Sequence, residues 1–356
     1  DALSKDGVTI LPYDSIYEYV KTFEKDMTVL LCKKKANCRL VNSIPKEVTI
    51  LDEANLTFLP KSIKNPVEVE NERIAHIKDG VALTKFICWL KKNVGKIPMT
   101  ELSAGEKLYS FRAQQENFID NSFDPIISYG IHAAINHYSA TPETDIAIEP
   151  GNFLLADTGG HYYEGTTDTT RTIVMGSVND EQKKYFTAVL RGMLNLGNAK
   201  FRYGCTGVNL DYLARGPLWE MGQDFNHGTG HGVGYLLNVH EGPNSFRWRI
   251  IQGDNAVLEE GMITSDEPGY YVENQYGIRH ENLLVCKKAE KTSFGQFMCF
   301  EHLTMVPFDL DGVIPEQMTA KERELLNAYH KQVYETISPS LNEEEKEWLK
   351  EATREI

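Results

Sequence analysis

The sequence predicts an α+β fold, with helices and strands gathered in blocks. Three observations carry that expectation. Residues 67–94 place apolar side chains at helical spacing, residues 123–174 and again those up to about 307 read as strands joined by glycine-rich turns, and the tail returns to a helical pattern. The chain of 356 residues is 41% hydrophobic and 25% charged, a balance suited to burying a sizeable core.

Each element can be justified in order. Residues 1–65 read as an α/β fragment, small for a core of its own. Within it "VTILPY", "MTVLLC" and "KEVTILD" are expected strands, and "DSIYEYVKTFEKD" an expected helix. A long helix follows in "VEVENERIAHIKDGVALTKFICWLKKNV", where Ile74, Ile77, Val81 and Cys88 share a face. A second is expected over "SAGEKLYSFRAQQENF". "NDEQKKYFTAVLRGMLNLGNAKF" is a helix that Asn179 or Asp180 can cap, and "VNLDYLARGPLWEMG" is another. Residues 66–308 are thus expected to form one α+β domain, with 309–356 as a helical C-terminal extension. In that tail Leu325, Leu326, Tyr329 and Val333 recur at helical spacing, a face expected to pack on the preceding domain.

Composition excludes several classes. A net charge of −14 leaves no basic face for nucleic acid. No run of about 18 apolar residues exists to span a membrane. Six cysteines without a CxxC pair read as free thiols of a reducing compartment, which points to the cytoplasm. Asn55-Leu56-Thr57 is one glycosylation tripeptide, as expected by chance.

The chemistry concentrates in three stretches. In "FNHGTGHGVGYLLNVHEGP", glycine falls at every second position from Gly228 to Gly234. Each glycine costs a helix about 1 kcal/mol relative to alanine, so the HxxxH spacing of His227 and His231 is not helical. In an extended strand both imidazoles share one face with Thr229, and the glycines let backbone approach the other. Two structural histidines in a glycine-rich loop are the alternative. In "FLLADTGGHYYEGTTDTTRTIVMG", Asp157 ends an apolar strand, Gly159-Gly160 marks an expected turn, and Asp168 lies in a second extended run. A capping aspartate and a carboxylate bonded within the threonine-rich run are the alternatives here. In "MITSDEPGYYVENQYGIRHENLLV", Glu267 and Glu281 sit on segments that can pair as an antiparallel hairpin and bring both carboxylates side by side. A solvated surface position is the alternative for each. Four carboxylates with one or two histidines form a hard, oxygen-rich set, suited to Mn²⁺ or a similar ion. Two ions about 3.5–4 Å apart would use that many carboxylates.

Taken together, "DTGGHYYEGTTDTTRT", "HGTGHGVGYLLNVHEGP", "DEPGYY" and "GIRHENLLV", in this order, resemble aminopeptidase P, the Xaa-Pro aminopeptidase family of the pita-bread metallopeptidases. The similarity is greatest to its longer, eukaryotic-type members. It implies a pita-bread (creatinase/aminopeptidase) catalytic domain, and metal ligands at Asp157, Asp168, His231, Glu267 and Glu281. It also implies two divalent ions, Mn²⁺ first and Zn²⁺ or Co²⁺ as alternatives, with a bridging water or hydroxide. His137, His227 and His240 match substrate-site histidines, and Tyr271 and Arg279 match residues beside the ligands. His240 is the expected donor to the developing oxyanion, Glu267 a proton shuttle, and His137 an orienting catalytic histidine. His280, where an apolar residue is expected, should point away from the ions. The implied partner is a peptide with penultimate proline, and the resemblance adds homodimerisation near the tail. Long members carry further N-terminal sequence, so the resemblance implies a C-terminal portion, with residues 1–65 as the C-terminal part of an α/β creatinase-like N-terminal domain. Prolidase, which cleaves dipeptides, methionine aminopeptidase and a non-catalytic peptide- or histone-binding module are the competing readings.

Overall fold

The computed structural model describes residues 2–251 and 253–356, which form two compact units, one ending at Pro60 and the other spanning Lys61–Ile356. In the first, β1 (Thr28–Leu30) pairs in parallel with β2 (Thr49–Leu51). Both lie within the segments expected to be strands. Val20, Ile44 and Val48 are its buried core. The expected strand "VTILPY" is not one. Val8, Ile10 and Leu11 are exposed, and no described strand offers them a ladder. β-branched composition without a pairing edge leaves irregular chain.

In the second unit, Asn65 caps the long helix α1 (Pro66–Asn93) through a capping box with Glu68, and Pro66 opens it. Its Leu83, Phe86 and Leu90 are buried, whereas Ile74 is exposed at the entry end. Helix α2 (Glu101–Arg112) ends earlier than expected. Asn117 has φ 63°, outside helical space, and β3 (Phe118–Asn121) starts there to pair with β6 (Gly160–Tyr162). Helix α3 (Asp180–Gly197) has Asn179 as its cap, boxed with Gln182, as expected.

Two long antiparallel hairpins dominate the unit, and each is interrupted. In the first, β5 (Asn152–Thr158) pairs with β8 (Thr169–Met175), and β6 pairs with β7 (Gly165–Thr166) beyond a break at Gly159 on one strand and Thr167–Asp168 on the other. β4 (Ile126–Tyr129) flanks β5. The turn lies at Tyr163–Glu164, not at Gly159-Gly160 as expected. Gly159 instead marks the kink at which the strand leaves one sheet for another. A Cβ there would overlap the Thr167 carbonyl and Ser122 Oγ. In the second hairpin, β9 (Ile263–Asp266) pairs with β12 (Asn282–Thr292), and β10 (Gly269–Val272) with β11 (Tyr276–Arg279). Glu267–Pro268 and His280–Glu281 occupy its break. Glu281 therefore sits between strands rather than inside one as expected. β13 (Gly295–His302) extends this sheet. The tail folds as α4 (Ala320–Ile337) and α5 (Glu343–Ala352), and Leu326, Tyr329 and Val333 join the main core of this unit, with Leu325 half-buried.

Candidate metal centre

The glycine-rich stretch is extended only briefly. Gly230–His231 pair with Ser245–Phe246, and Gly232 bridges Thr264. The expected longer strand is cut off where Gly234 N–H donates to the Asn238 carbonyl (2.8 Å) and Leu237 takes φ 69°. Close packing on the glycine face is nonetheless present. A Cβ on Gly230 would overlap the Ser265 carbonyl, and one on Gly232 the Glu241 carbonyl. The imidazole of His231 is thereby pressed toward the two hairpin breaks.

A cavity of about 540 Å³ is lined by Asp157, Asp168, His231, Glu267 and Glu281, with His137, His227, His240 and Arg279 among its other walls. Asp168, His231 and Glu281 each offer one ligand atom, and these atoms lie within 4.8 Å of one another. His231 Nε2 is 3.4 Å from Asp168 Oδ2 and 3.5 Å from Glu267 Oε1. Asp157 stands apart from this trio, paired with Arg279. Glu267 also accepts from Ser265 Oγ (3.2 Å), and Glu281 Oε2 from Thr170 Oγ1 (2.8 Å).

The charges are out of balance. Burial first, then the neighbouring acids, holds the Asp168 and Glu281 carboxyls well above the usual range, and burial raises Glu267. Glu281 Oε1 is buried and has no hydrogen-bond partner among the described residues. Crowded carboxylates, one imidazole and an orphaned oxygen match the demand of a hard divalent cation, which supplies the missing positive charge. The residue types present therefore fit such an ion.

Behind the acids runs a polarised chain. Arg279 Nη1 donates to Tyr271 Oη (2.8 Å), which lies 2.9 Å from His227 Nε2. His227 Nδ1 meets the Gly228 carbonyl at 2.7 Å, so that nitrogen carries the proton and Nε2 accepts from the tyrosine. Burial, followed by the charge of Arg279, holds His227 down to about 3, and burial pushes Tyr271 up to about 12. His240 packs edge-on against His231, ring centroids 4.1 Å apart, and partial desolvation with the neighbouring His231 and His137 holds it down to about 4. His137 is exposed at the mouth. His280 points away as expected, 4.3 Å from the Phe186 ring and 5.6 Å from that of Phe308 by centroid.

Sequence reasoning missed several groups that shape the site. Thr170, Arg171 and Ser265 brace the acids from behind, and Glu241, Arg247 and Asp254 line the cavity. The signal available for Arg171 was a charged residue inside the apolar strand "TTRTIVM".

Comparison with known proteins adds names to this geometry. Residues 70–288 match the model of metallopeptidase family M24, residues 296–356 that of the C-terminal region of peptidase M24, and residues 1–68 that of the creatinase/prolidase N-terminal domain. The chain is 38% identical to aminopeptidase P1 of Arabidopsis thaliana, over 89% of this chain and 53% of that protein. It is also 38% identical to a probable Xaa-Pro aminopeptidase P of Paracoccidioides brasiliensis, over 99% and 60%. Among solved structures, the X-prolyl aminopeptidase of Caenorhabditis elegans, described as a cytosolic enzyme with a di-nuclear active site, superposes with a TM-score of 0.91 at 33% identity, covering 99% of this chain and 59% of that one. Prolidase from Pyrococcus furiosus superposes with a TM-score of 0.64 at 26% identity, over 83% and 80%. The chain thus spans only 53–60% of the length of its longer relatives. A family model covering residues 70–288, laid over both interrupted hairpins and the acids at their breaks, fixes the affiliation: the chain belongs to metallopeptidase family M24.

Proposed function

We propose that this protein is a metal-dependent aminopeptidase that removes an N-terminal residue preceding proline. The observation that carries the reading is the gathering of buried, unbalanced acids around His231 at the breaks of two hairpins. Relatives named Xaa-Pro aminopeptidase P support the substrate class. The ligands we propose are Asp157, Asp168, His231, Glu267 and Glu281, and the ions a pair of divalent cations, Mn²⁺ in the first place. When bound, such ions supply an activated water at neutral pH and polarise the scissile carbonyl.

The chain's own residues do the rest. Glu267, with its carboxyl raised by burial, is suited to take a proton from the attacking water and pass it to the leaving nitrogen. His240 is neutral at pH 7 and donates an N–H to the carbonyl oxygen as charge develops there. His227, held by Tyr271 and Gly228, and His137 at the mouth orient the peptide. The nitrogen of a proline has no N–H, so shape selects it, and Phe123 and Ile126 supply an apolar wall. We extend the cytosolic location of the C. elegans neighbour to this protein, in keeping with its free thiols.

The test is hydrolysis of Arg-Pro-Pro, Arg-Pro and Met-Ala-Ser side by side by the complete gene product, with Mn²⁺ added. Cleavage of Arg-Pro-Pro alone is expected. Cleavage of Arg-Pro alone would point to a prolidase, cleavage of Met-Ala-Ser to a methionine aminopeptidase, and ion binding with no turnover to a non-catalytic module.

A further inference from the structure

Arg171 is 1% exposed, and among the described residues no carboxylate accepts from it. Its guanidinium lies 4.0 Å from the centroid of the Phe308 ring. Nη1 donates to the carbonyls of Thr170 (2.9 Å) and Glu281 (2.5 Å). Nη2 donates to Asn282 Oδ1 (2.7 Å), the Val306 carbonyl (2.8 Å) and Tyr329 Oη (3.0 Å), and Nε to the Pro307 carbonyl (3.2 Å). A buried charge with only neutral partners is costly, so its retention needs a reason. The planar fork of arginine presents five N–H donors in fixed directions, and these six acceptors share them, with one N–H of Nη2 divided between two.

Those acceptors belong to three separate segments. Thr170 is on the first hairpin, Glu281 and Asn282 are on the second, and Val306, Pro307 and Tyr329 lead into and form the tail helix α4. Glu281 is gripped at three points. Its N–H donates to the Thr170 carbonyl (3.1 Å), its carbonyl accepts from Arg171, and its carboxylate accepts from Thr170 Oγ1. Tyr329 Oη accepts from Arg171 and lies 2.9 Å from the carbonyls of both Thr304 and Val306, to which it can donate.

We propose that Arg171 and Tyr329 are positioning residues for the ion site: through this fork the tail helix fixes the backbone from which Glu281 extends its carboxylate, so the C-terminal region controls ion affinity as well as stability. The inference rests on the metal reading of the site. Loss of a group that orients a ligand typically weakens ion binding by about 10–100-fold.

The test titrates Mn²⁺ calorimetrically into the metal-free complete gene product, well below its unfolding temperature, and follows thermal unfolding with and without Mn²⁺. Tyr329→Phe removes only the hydroxyl, and Arg171→Lys keeps the charge without the fork. Tyr329→Phe is expected to bind Mn²⁺ about tenfold more weakly, and Arg171→Lys up to about a hundredfold, with the Mn²⁺-induced rise in Tm shrinking in step. A purely structural role would lower the metal-free Tm and leave the affinity of the folded protein unchanged. That outcome for Tyr329→Phe overturns the proposal, whether or not Arg171→Lys folds. A wild-type protein that takes up no Mn²⁺ overturns the metal reading itself, and this inference with it.

Discussion

The two hairpins use one device in two ways. Asp168 of the first and Glu267 and Glu281 of the second stand at a gap in the ladder, where a side chain is released from the strict alternation of a continuous strand, whereas Asp157 stands inside the paired β5. The first gap is opened by a glycine whose missing Cβ admits the Thr167 carbonyl. The second is opened by Pro268, which has no N–H to pair and whose carbonyl accepts from His280 N–H at 3.3 Å. Each hairpin also sends one arginine to the other. Arg279 of the second reaches the carboxylate of Asp157, whereas Arg171 of the first reaches the backbone carbonyl of Glu281. The contrast separates charge from geometry: one guanidinium compensates the acids, and the other sets where they stand.

Four substitutions would break or sharpen that contrast. The largest effect is expected for Asp168→Ala at the first gap: ion uptake measured by elemental analysis should fall, and kcat/KM on Arg-Pro-Pro should drop by at least ~10³, the several kcal/mol an ion contributes. Retention of full ion content would remove Asp168 from the ligand set. His240→Ala, off both hairpins, should keep the ions and lose ~10²–10³ in kcat. A normal rate on Xaa-Pro peptides would refute the donor role. Third, Gly159→Ala forces a methyl against backbone and should lower unfolding free energy in urea by about 3 kcal/mol, whereas Pro268→Ala should cost less than about 1.5. Equal costs would mean that the two gaps do not differ in kind.

The last effect vanishes at neutral pH, appears only in acid, and concerns the tail beside Arg171. His330 Nε2 accepts from Phe308 N–H (3.0 Å), and burial, followed by the charges of Arg171 and Arg354, holds the imidazole down to about 3. Its folded value lies below the unfolded one, so its contribution to stability is complete above about pH 6.5 and is lost as pH falls toward 3. Between pH 6.5 and 5 the loss should approach about 2 kcal/mol, and His330→Gln should flatten that slope in urea titrations. An unchanged slope would place the acid sensitivity elsewhere.

Much of this was legible in the sequence, for identifiable reasons. Capping at Asn179, the period of the long helix and the antiparallel approach of Glu267 to Glu281 are local properties, written in neighbouring residues. That His280 turns away from the acids, into the core beside Phe186, followed from alternation. The failures share one physical origin. Whether "VTILPY" becomes a strand depends on a distant edge, and whether Gly159-Gly160 is a turn or a kink depends on what lies across from it. Arg171 was overlooked because its six acceptors come from three segments that sequence order does not bring together.

The alternating glycines bear on how such a site can diversify. Gly230 and Gly232 are closed to any side chain by carbonyls of the opposing backbone, so this wall cannot drift without rebuilding what faces it. Leu237, Trp248 and Ile250 belong to loops between cavity-lining positions and are 69%, 56% and 71% exposed. Variation is sterically free there. A library selected for a new preference in the first peptide residue should therefore return changes in these two loops and unaltered glycines at 230 and 232. Novelty would enter at the rim, while the floor stays fixed by the absence of atoms.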